Sequence, residues 1–100
     1  MSGPAAIEVE IAELASALAN PTRVQLLRML LRRGPCTVGE LVADLPLAQS
    51  TVSEHLRLLG EAGMVVRRRR GRVVEGEASS LTLRRLSSLL AGGVVASAPR

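Results

Sequence analysis

Five hydrogen-bonding side chains crowd into seven consecutive positions, Gln49, Ser50, Thr51, Ser53 and His55, and a run of arginines follows at Arg67, Arg68, Arg69, Arg70 and Arg72. Amides and hydroxyls bond base edges as well as phosphate oxygens, and guanidinium groups make planar, two-pronged contacts with phosphate or guanine. The chemistry on offer is recognition of a nucleic acid. Covalent chemistry has little to work with: His55 is the single histidine and has no nucleophile partner at a recognisable spacing, and no glycine-rich loop suits a bound phosphate. Cys36 is the single cysteine, so no intrachain disulfide can form. Thiolate and imidazole metal sites draw on several such residues, which one chain here cannot supply. The expectation is therefore a binding protein that is not an enzyme and has neither cofactor nor metal ligand.

Charge placement sharpens this. All 13 basic side chains are arginine and the formal net charge is +4. A GC-rich genome alone would favour arginine codons, so position is better evidence than count. Residues 49–72 hold Arg57 and the five hairpin arginines against Glu54 and Glu61, a surplus equal to that of the whole chain. Phe, Tyr and Trp are absent. The aromatic platforms on which single strands stack are missing, and a duplex is the better-suited partner. Apolar residues make up 47% of the 100 positions, enough for one folded domain. No apolar run is long enough to span a bilayer, and residues 1–6 lack the start of a secretory signal. A cytoplasmic protein without a membrane partner is expected.

Those side chains need elements to position them. Ile7, Ile11, Leu14 and Leu18 recur at spacings of four, three and four, the stripe of a first helix over residues 7–18. Asn20-Pro21 restarts the chain as N-cap and first helical residue, and a second helix with Val24, Leu27, Leu30 and Leu31 inward ends at Gly34-Pro35. Thr37 and Glu40 match a capping box for a third helix carrying Leu41, Val42 and Leu45. After Pro46 a fourth helix runs from Gln49 to about Ala62, with Val52, Leu56 and Leu59 inward and Ser50, Ser53, Glu54 and Arg57 pointing away. Two helices joined by a short turn, the second with small polar outer residues, suggest helix-turn-helix. Met64-Val65-Val66 and Val73-Val74 flank the arginine run and predict a β-hairpin with a basic tip. Ser79-Ser80 can cap a last helix with Leu83, Leu86, Leu89 and Leu90, stopped by Gly92-Gly93. The predicted fold is mainly α with one hairpin, ordered α-α-α-α-β-β-α. A domain over 7–91 lies between a flexible start at 1–6 and a flexible tail at 92–100.

In this order the segments resemble the ArsR/SmtB family of winged helix-turn-helix transcriptional regulators. The matching stretches are Leu18-Ala19-Asn20-Pro21-Thr22-Arg23, Val38-Gly39-Glu40-Leu41, Gln49 to Leu56, Leu59-Gly60-Glu61-Ala62-Gly63-Met64-Val65, and Gly71-Arg72 in the wing. The resemblance implies a homodimeric, sequence-specific regulator of transcription, expected to be a repressor. Its fourth helix would enter the major groove, its wing would touch backbone or minor groove, and its terminal helices would form the dimer interface. Two departures stand out: Ala48 occupies a position often held by a capping serine, and Glu54 one often held by arginine. The family's effector sites, a cysteine pair in the third helix and carboxylates with histidine on the last, are absent. Thr37 and Gly39 fall on the first pair, and Leu81 to Leu90 contains no Asp, Glu or His.

The expected DNA contacts are Gln49, Ser50, Thr51, Ser53, Glu54, His55 and Arg57, with Arg70, Arg72 and then Arg68 from the hairpin. For Glu54, acceptance from a cytosine amino group and plain solvent exposure are equally weighted. For His55, a packed, hydrogen-bonded ring is as good a reading as a groove contact. Cys36 reads as a structural thiol. Ile7, Ile11, Leu14 and Leu18, with Leu83, Leu86 and Leu90, are expected to form a two-fold interface, and the operator would be an imperfect inverted repeat. Two other readings stay open. One is a metal-responsive regulator with an atypical site built across the dimer from Glu8, Glu10, Glu13, His55 or Cys36, or dependent on an effector-sensing partner protein. The other is a winged-helix module whose partner is protein.

Overall fold

Local hydrogen bonding sets where the chain breaks. In the computed structural model, which describes residues 3–92, the first helix is α1 (Ala6–Ala17). With Ala5 at its N-cap, the first turn is closed instead by Glu8, whose Oε1 accepts from the Ala5 N–H at 2.9 Å. Asn20 Oδ1 accepts from the backbone N–H groups of Thr22 and Arg23, and with Pro21 at the first position α2 (Pro21–Arg33) begins as its sequence requires. Arg23 then donates from Nε to the Ala17 carbonyl at 2.8 Å, which satisfies an orphan acceptor at the end of α1 and pins the two helices together.

The predicted capping box is formed in full. Thr37 Oγ1 accepts from the Glu40 N–H, Glu40 Oε1 accepts from the Thr37 N–H, and α3 (Val38–Ala43) follows. A five-residue connection leads to α4 (Gln49–Glu61), which starts without a side-chain cap because Ala48 has no acceptor. The strands β2 (Val65–Arg70) and β3 (Val73–Ala78) make the hairpin, and α5 (Ser80–Ala91) is capped by Ser79 Oγ. The expected tail beyond residue 92 lies outside the described residues.

One element is absent from the expected order. Cys36–Thr37 form a two-residue strand, β1, that pairs antiparallel with β3 through Cys36↔Gly76 and Thr37↔Glu75. The sheet is three-stranded in the order β1-β3-β2. Two residues have no periodicity to read, so pairing partners alone define this strand. A second correction concerns α2. Its buried residues are Leu26, Leu27, Met29 and Leu30, whereas Val24 is half-buried and Leu31 is 48% exposed. Packing against both α4 and β3 widens the buried arc and turns it toward Leu26 and Met29.

The core gathers where these elements converge. Leu26, Leu30, Leu41, Val52, Leu56, Leu59 and Met64 are the largest fully buried side chains. Gly76 sits among them on β3. A Cβ there would lie 3.4 Å from Val65 Cγ1 and 3.6 Å from both Leu30 Cδ1 and Leu56 Cδ2, so α2, α4 and β2 close over the strand with room for a methyl group and nothing larger. Gly76→Ala should fold with little loss, since those distances are ordinary contacts. Gly76→Leu should overpack the junction and lower stability by about 1–3 kcal/mol. Chemical denaturation of the two variants measures the difference, and equal stabilities would refute this account of the junction.

Candidate nucleic-acid interface

The outer surface of α4 follows from its inner one. Val52, Leu56 and Leu59 have no exposed area, and opposite them, at 100° per residue, lie Ser50, Glu54, Arg57 and Glu61. Gln49, Ser50, Thr51 and Glu54 are exposed, while Ser53, His55 and Arg57 are half-buried. The first two turns of α4 thus bring Gln49, Ser50, Ser53 and Glu54 to one open surface.

The strand register fixes the hairpin turn that the sequence left open. The pairing Arg70↔Val73 leaves only Gly71-Arg72 as the turn, and Gly71 takes φ +63°, which a two-residue hairpin turn demands at that position. Arg67 to Arg70 therefore belong to the strand and not to the tip. Alternation divides them. Arg67 and Arg69 share the face of Val65 and Gly76, the core side. Arg68 and Arg70 share the opposite face with Glu75 and Glu77. Arg67 lies along α4, its Nε 3.1 Å from where a Cβ on Gly60 would stand. Arg68 is engaged by Glu77, Nη1 to Oε1 at 2.7 Å, and this carboxylate holds the guanidinium firmly charged. Arg69, Arg70 and Arg72 make no ion pair among the described residues. Of the three expected hairpin contacts, Arg70 and Arg72 are open and Arg68 is held on its own sheet. Arg67, not singled out from the sequence, approaches the helix because strand register sends it there.

Arg57 is also engaged. It donates from Nε and Nη2 to the two oxygens of Glu54, at 2.9 and 2.6 Å, and from Nη1 to Glu61 Oε2 at 2.5 Å. The hydrogen bonds from Arg57 hold the Glu54 carboxyl below its ordinary range, and the two carboxylates push the Arg57 pKa upward.

His55 Nδ1 is buried without a hydrogen-bond partner, so that edge of the ring faces protein. This favours the packed reading of His55 without its expected bond. Cys36 is 5% exposed, its Sγ 3.5 Å from the Gly34 carbonyl, and burial pushes the thiol pKa up. Of the other members of the alternative metal set, Glu8 closes on Ala5 and Glu10 accepts from Arg85 of α5, while Glu10 and Glu13 border the same hollow. Among the described residues no three His, Cys, Asp or Glu side chains stand where they could hold a metal ion.

The expected dimer residues fall into two groups. Leu14 is 8% exposed within a single chain and belongs to the core, and Leu18, Leu83 and Leu86 pack against that core. Ile7 and Leu90 are open at 46% and 63%, and Ile11 is half-buried. Val9 and Leu81, not named from the sequence, add 46% and 75% exposure to the same helical layer.

A helix-turn-helix (α3 and α4) followed by a basic two-stranded wing defines a winged helix-turn-helix protein. The profile of the bacterial regulatory protein, arsR family, matches residues 20–66. CmtR of Mycobacterium tuberculosis, an HTH-type transcriptional regulator, is 46% identical over 67 residues, 67% of this chain and 56% of CmtR. The chain thus spans little more than half the length of that relative. The transcriptional activator HlyU of Vibrio cholerae is 39% identical over 77 residues, covering 77% of this chain and 70% of HlyU. Among solved structures, the homodimeric winged helix-turn-helix DNA-binding domain of Mb0332 from Mycobacterium bovis superposes with a TM-score of 0.71 at 26% identity, covering 97% of this chain and 91% of that one. The chain belongs to the ArsR family of bacterial regulatory proteins.

An unpaired buried nitrogen destabilises, so His55→Leu should raise stability by about 1 kcal/mol. Thermal melts check this, and a loss of similar size would mean that the ring makes a bond that matters.

Proposed function

We propose that this protein is a cytoplasmic, sequence-specific DNA-binding regulator that acts as a homodimer on an imperfect inverted repeat and represses by occupying its operator. The observation that carries the DNA reading is the junction of two surfaces. The hairpin packs along the second half of α4, Arg67 beside Gly60, and carries Arg69, Arg70 and Arg72, which have no carboxylate partner among the described residues, while the first turns of the same helix are polar and exposed. Gln49, Ser50, Thr51 and Ser53 are assigned to base edges and phosphates at the groove floor and rim, and the open hairpin arginines to the flanking backbone. The family's regulators, and the homodimeric domain of Mb0332, support the same reading.

Dimerisation is supported by α5, which buries none of its residues in the single chain. The Cα radius of gyration, 15.7 Å, exceeds the roughly 13 Å of a typical 100-residue domain, as befits a chain with one layer left open. Ile7 and Leu81, which line one open hollow between α1 and α5, are the assigned centre of the interface. Two-fold symmetry would present two copies of α4 to major grooves about 34–36 Å apart. The protein-interaction alternative has no specific observation in its favour.

Each phosphate neutralised contributes about −0.9 to the slope of log affinity against log salt. Arg70→Ala and Arg72→Ala should each flatten that slope by about one such increment, and Arg68→Ala should do less because Glu77 already engages it. Anisotropy titrations over a salt series measure these slopes. Unaltered slopes in the first two variants, or no duplex binding at low salt, would overturn the DNA reading.

The assembly has its own test. Leu81→Glu places a charge in the apolar layer and should convert the dimer to monomer in light scattering, with operator affinity lost in parallel. A variant that remains dimeric would exclude α5 from the interface.

A further inference from the structure

The outer line of α4 contains a contradiction. Ser50, Glu54, Arg57 and Glu61 are the residues turned furthest from the core, and two of the four are acidic. A single arginine stands between them, and Nε, Nη1 and Nη2 are all donating to those two carboxylates. A chain with a formal charge of +4 therefore presents, on the helix assigned to the groove, a line that is net negative.

An ion pair in water is worth little, and helix stability alone is a weak reason to place one there. Arg57 has committed three of its five N–H donors to carboxylates, so a phosphate would have to compete with two anions already in place. Glu54 is different. A carboxylate has about four lone-pair positions, and Arg57 uses one on each oxygen, so both oxygens keep a free site. The fork also fixes the carboxylate plane. Position 54 is one turn beyond Ser50 and is exposed, so it stands on the same line as the residue assigned to the base edges.

Resting on the DNA reading above, we propose that Glu54 is a specificity residue that accepts a hydrogen bond from the exocyclic amino group of a cytosine in the major groove, with Arg57 as its positioning residue. Cytosine is the base whose major-groove edge offers an amino donor without a neighbouring ring acceptor, which suits a group that only accepts. The remaining negative charge acts against every other sequence. Where no amino group meets it, the carboxylate faces base acceptors and nearby phosphates unpaired, and binding is penalised. The departure at position 54 thereby gains a role: it raises discrimination at the expense of non-specific affinity. Hydrogen bonding from Arg57 lowers the Glu54 pKa and so favours the ionised form, which only accepts.

The test is selection of bound duplexes from a randomised pool, carried out on the full chain and on Glu54→Gln, Glu54→Ala and Arg57→Gln. All three changes are at solvent-facing side chains, and circular dichroism verifies folding. The unaltered protein should select a C·G pair at one symmetric position in each half-site. Glu54→Gln should move that preference toward A·T, because an amide pairs with the N6 and N7 edge of adenine. Glu54→Ala should flatten it, losing about 5- to 150-fold of discrimination, and should bind random duplex more tightly than the unaltered protein. Arg57→Gln should blur the same base pair and leave the others intact. If Glu54→Ala and Glu54→Gln select the same bases as the unaltered protein at every position, the proposal is wrong and Glu54 only stabilises the helix. If the unaltered protein selects no sequence at all, the DNA reading itself falls.

Discussion

The rest of the structure depends on the close approach at Gly76. Leu30 from α2, Leu56 from α4 and Val65 from β2 meet over a strand residue where nothing larger than a methyl group would fit. Because Cys36 pairs with the same glycine, the two-residue β1 and the capping box that follows it are tied to this point too. Packing there fixes the rotation of α4 about its axis. Once Val52, Leu56 and Leu59 are inward, no freedom remains in which residues face out. Packing also fixes where the hairpin leaves the core, and hence which arginines run beside α4.

Electrostatics then divides arginines that look equivalent. Glu77 holds Arg68, Glu54 and Glu61 hold Arg57, Glu10 holds Arg85, and Asp44 holds Arg33. These are exposed pairs that add little to stability. Their effect is on the surface field: Arg28 and Arg32 on α2, Arg84 on α5 and Arg67 make no ion pair among the described residues, and Arg69, Arg70 and Arg72 add three more within four positions at the end of the hairpin. A duplex is attracted first to such a concentrated patch, and association of this kind weakens as salt rises.

Much of this was legible in the sequence, for reasons that are local. Asn20-Pro21, Thr37 with Glu40, and Ser79 form caps through hydrogen bonds within three residues, so their chemistry is written side by side. The inward line of α4 was legible because that helix packs on one side. The face of α2 was not, because two neighbours bury it and Leu26 and Met29 go inside in place of Leu31. Register was the larger loss. A basic hairpin could be read from the arginine run, but its turn could not: the pairing Arg70↔Val73 confines the turn to Gly71-Arg72 and thereby decides which arginines share the α4 side. Likewise, Leu14 reads as part of an open stripe by spacing, yet it lies in the core of a single chain.

The central claim is that the outer line of α4 and the hairpin form one surface that meets duplex DNA, while α1 and α5 serve assembly. Hydrogen–deuterium exchange of the chain with and without a selected duplex tests it most directly. Added DNA should slow exchange at the start of α4 and in the hairpin around residues 67–73, and leave exchange in α5 unchanged. Protection confined to α1 and α5, with α4 and the hairpin exchanging as in the free protein, would contradict it.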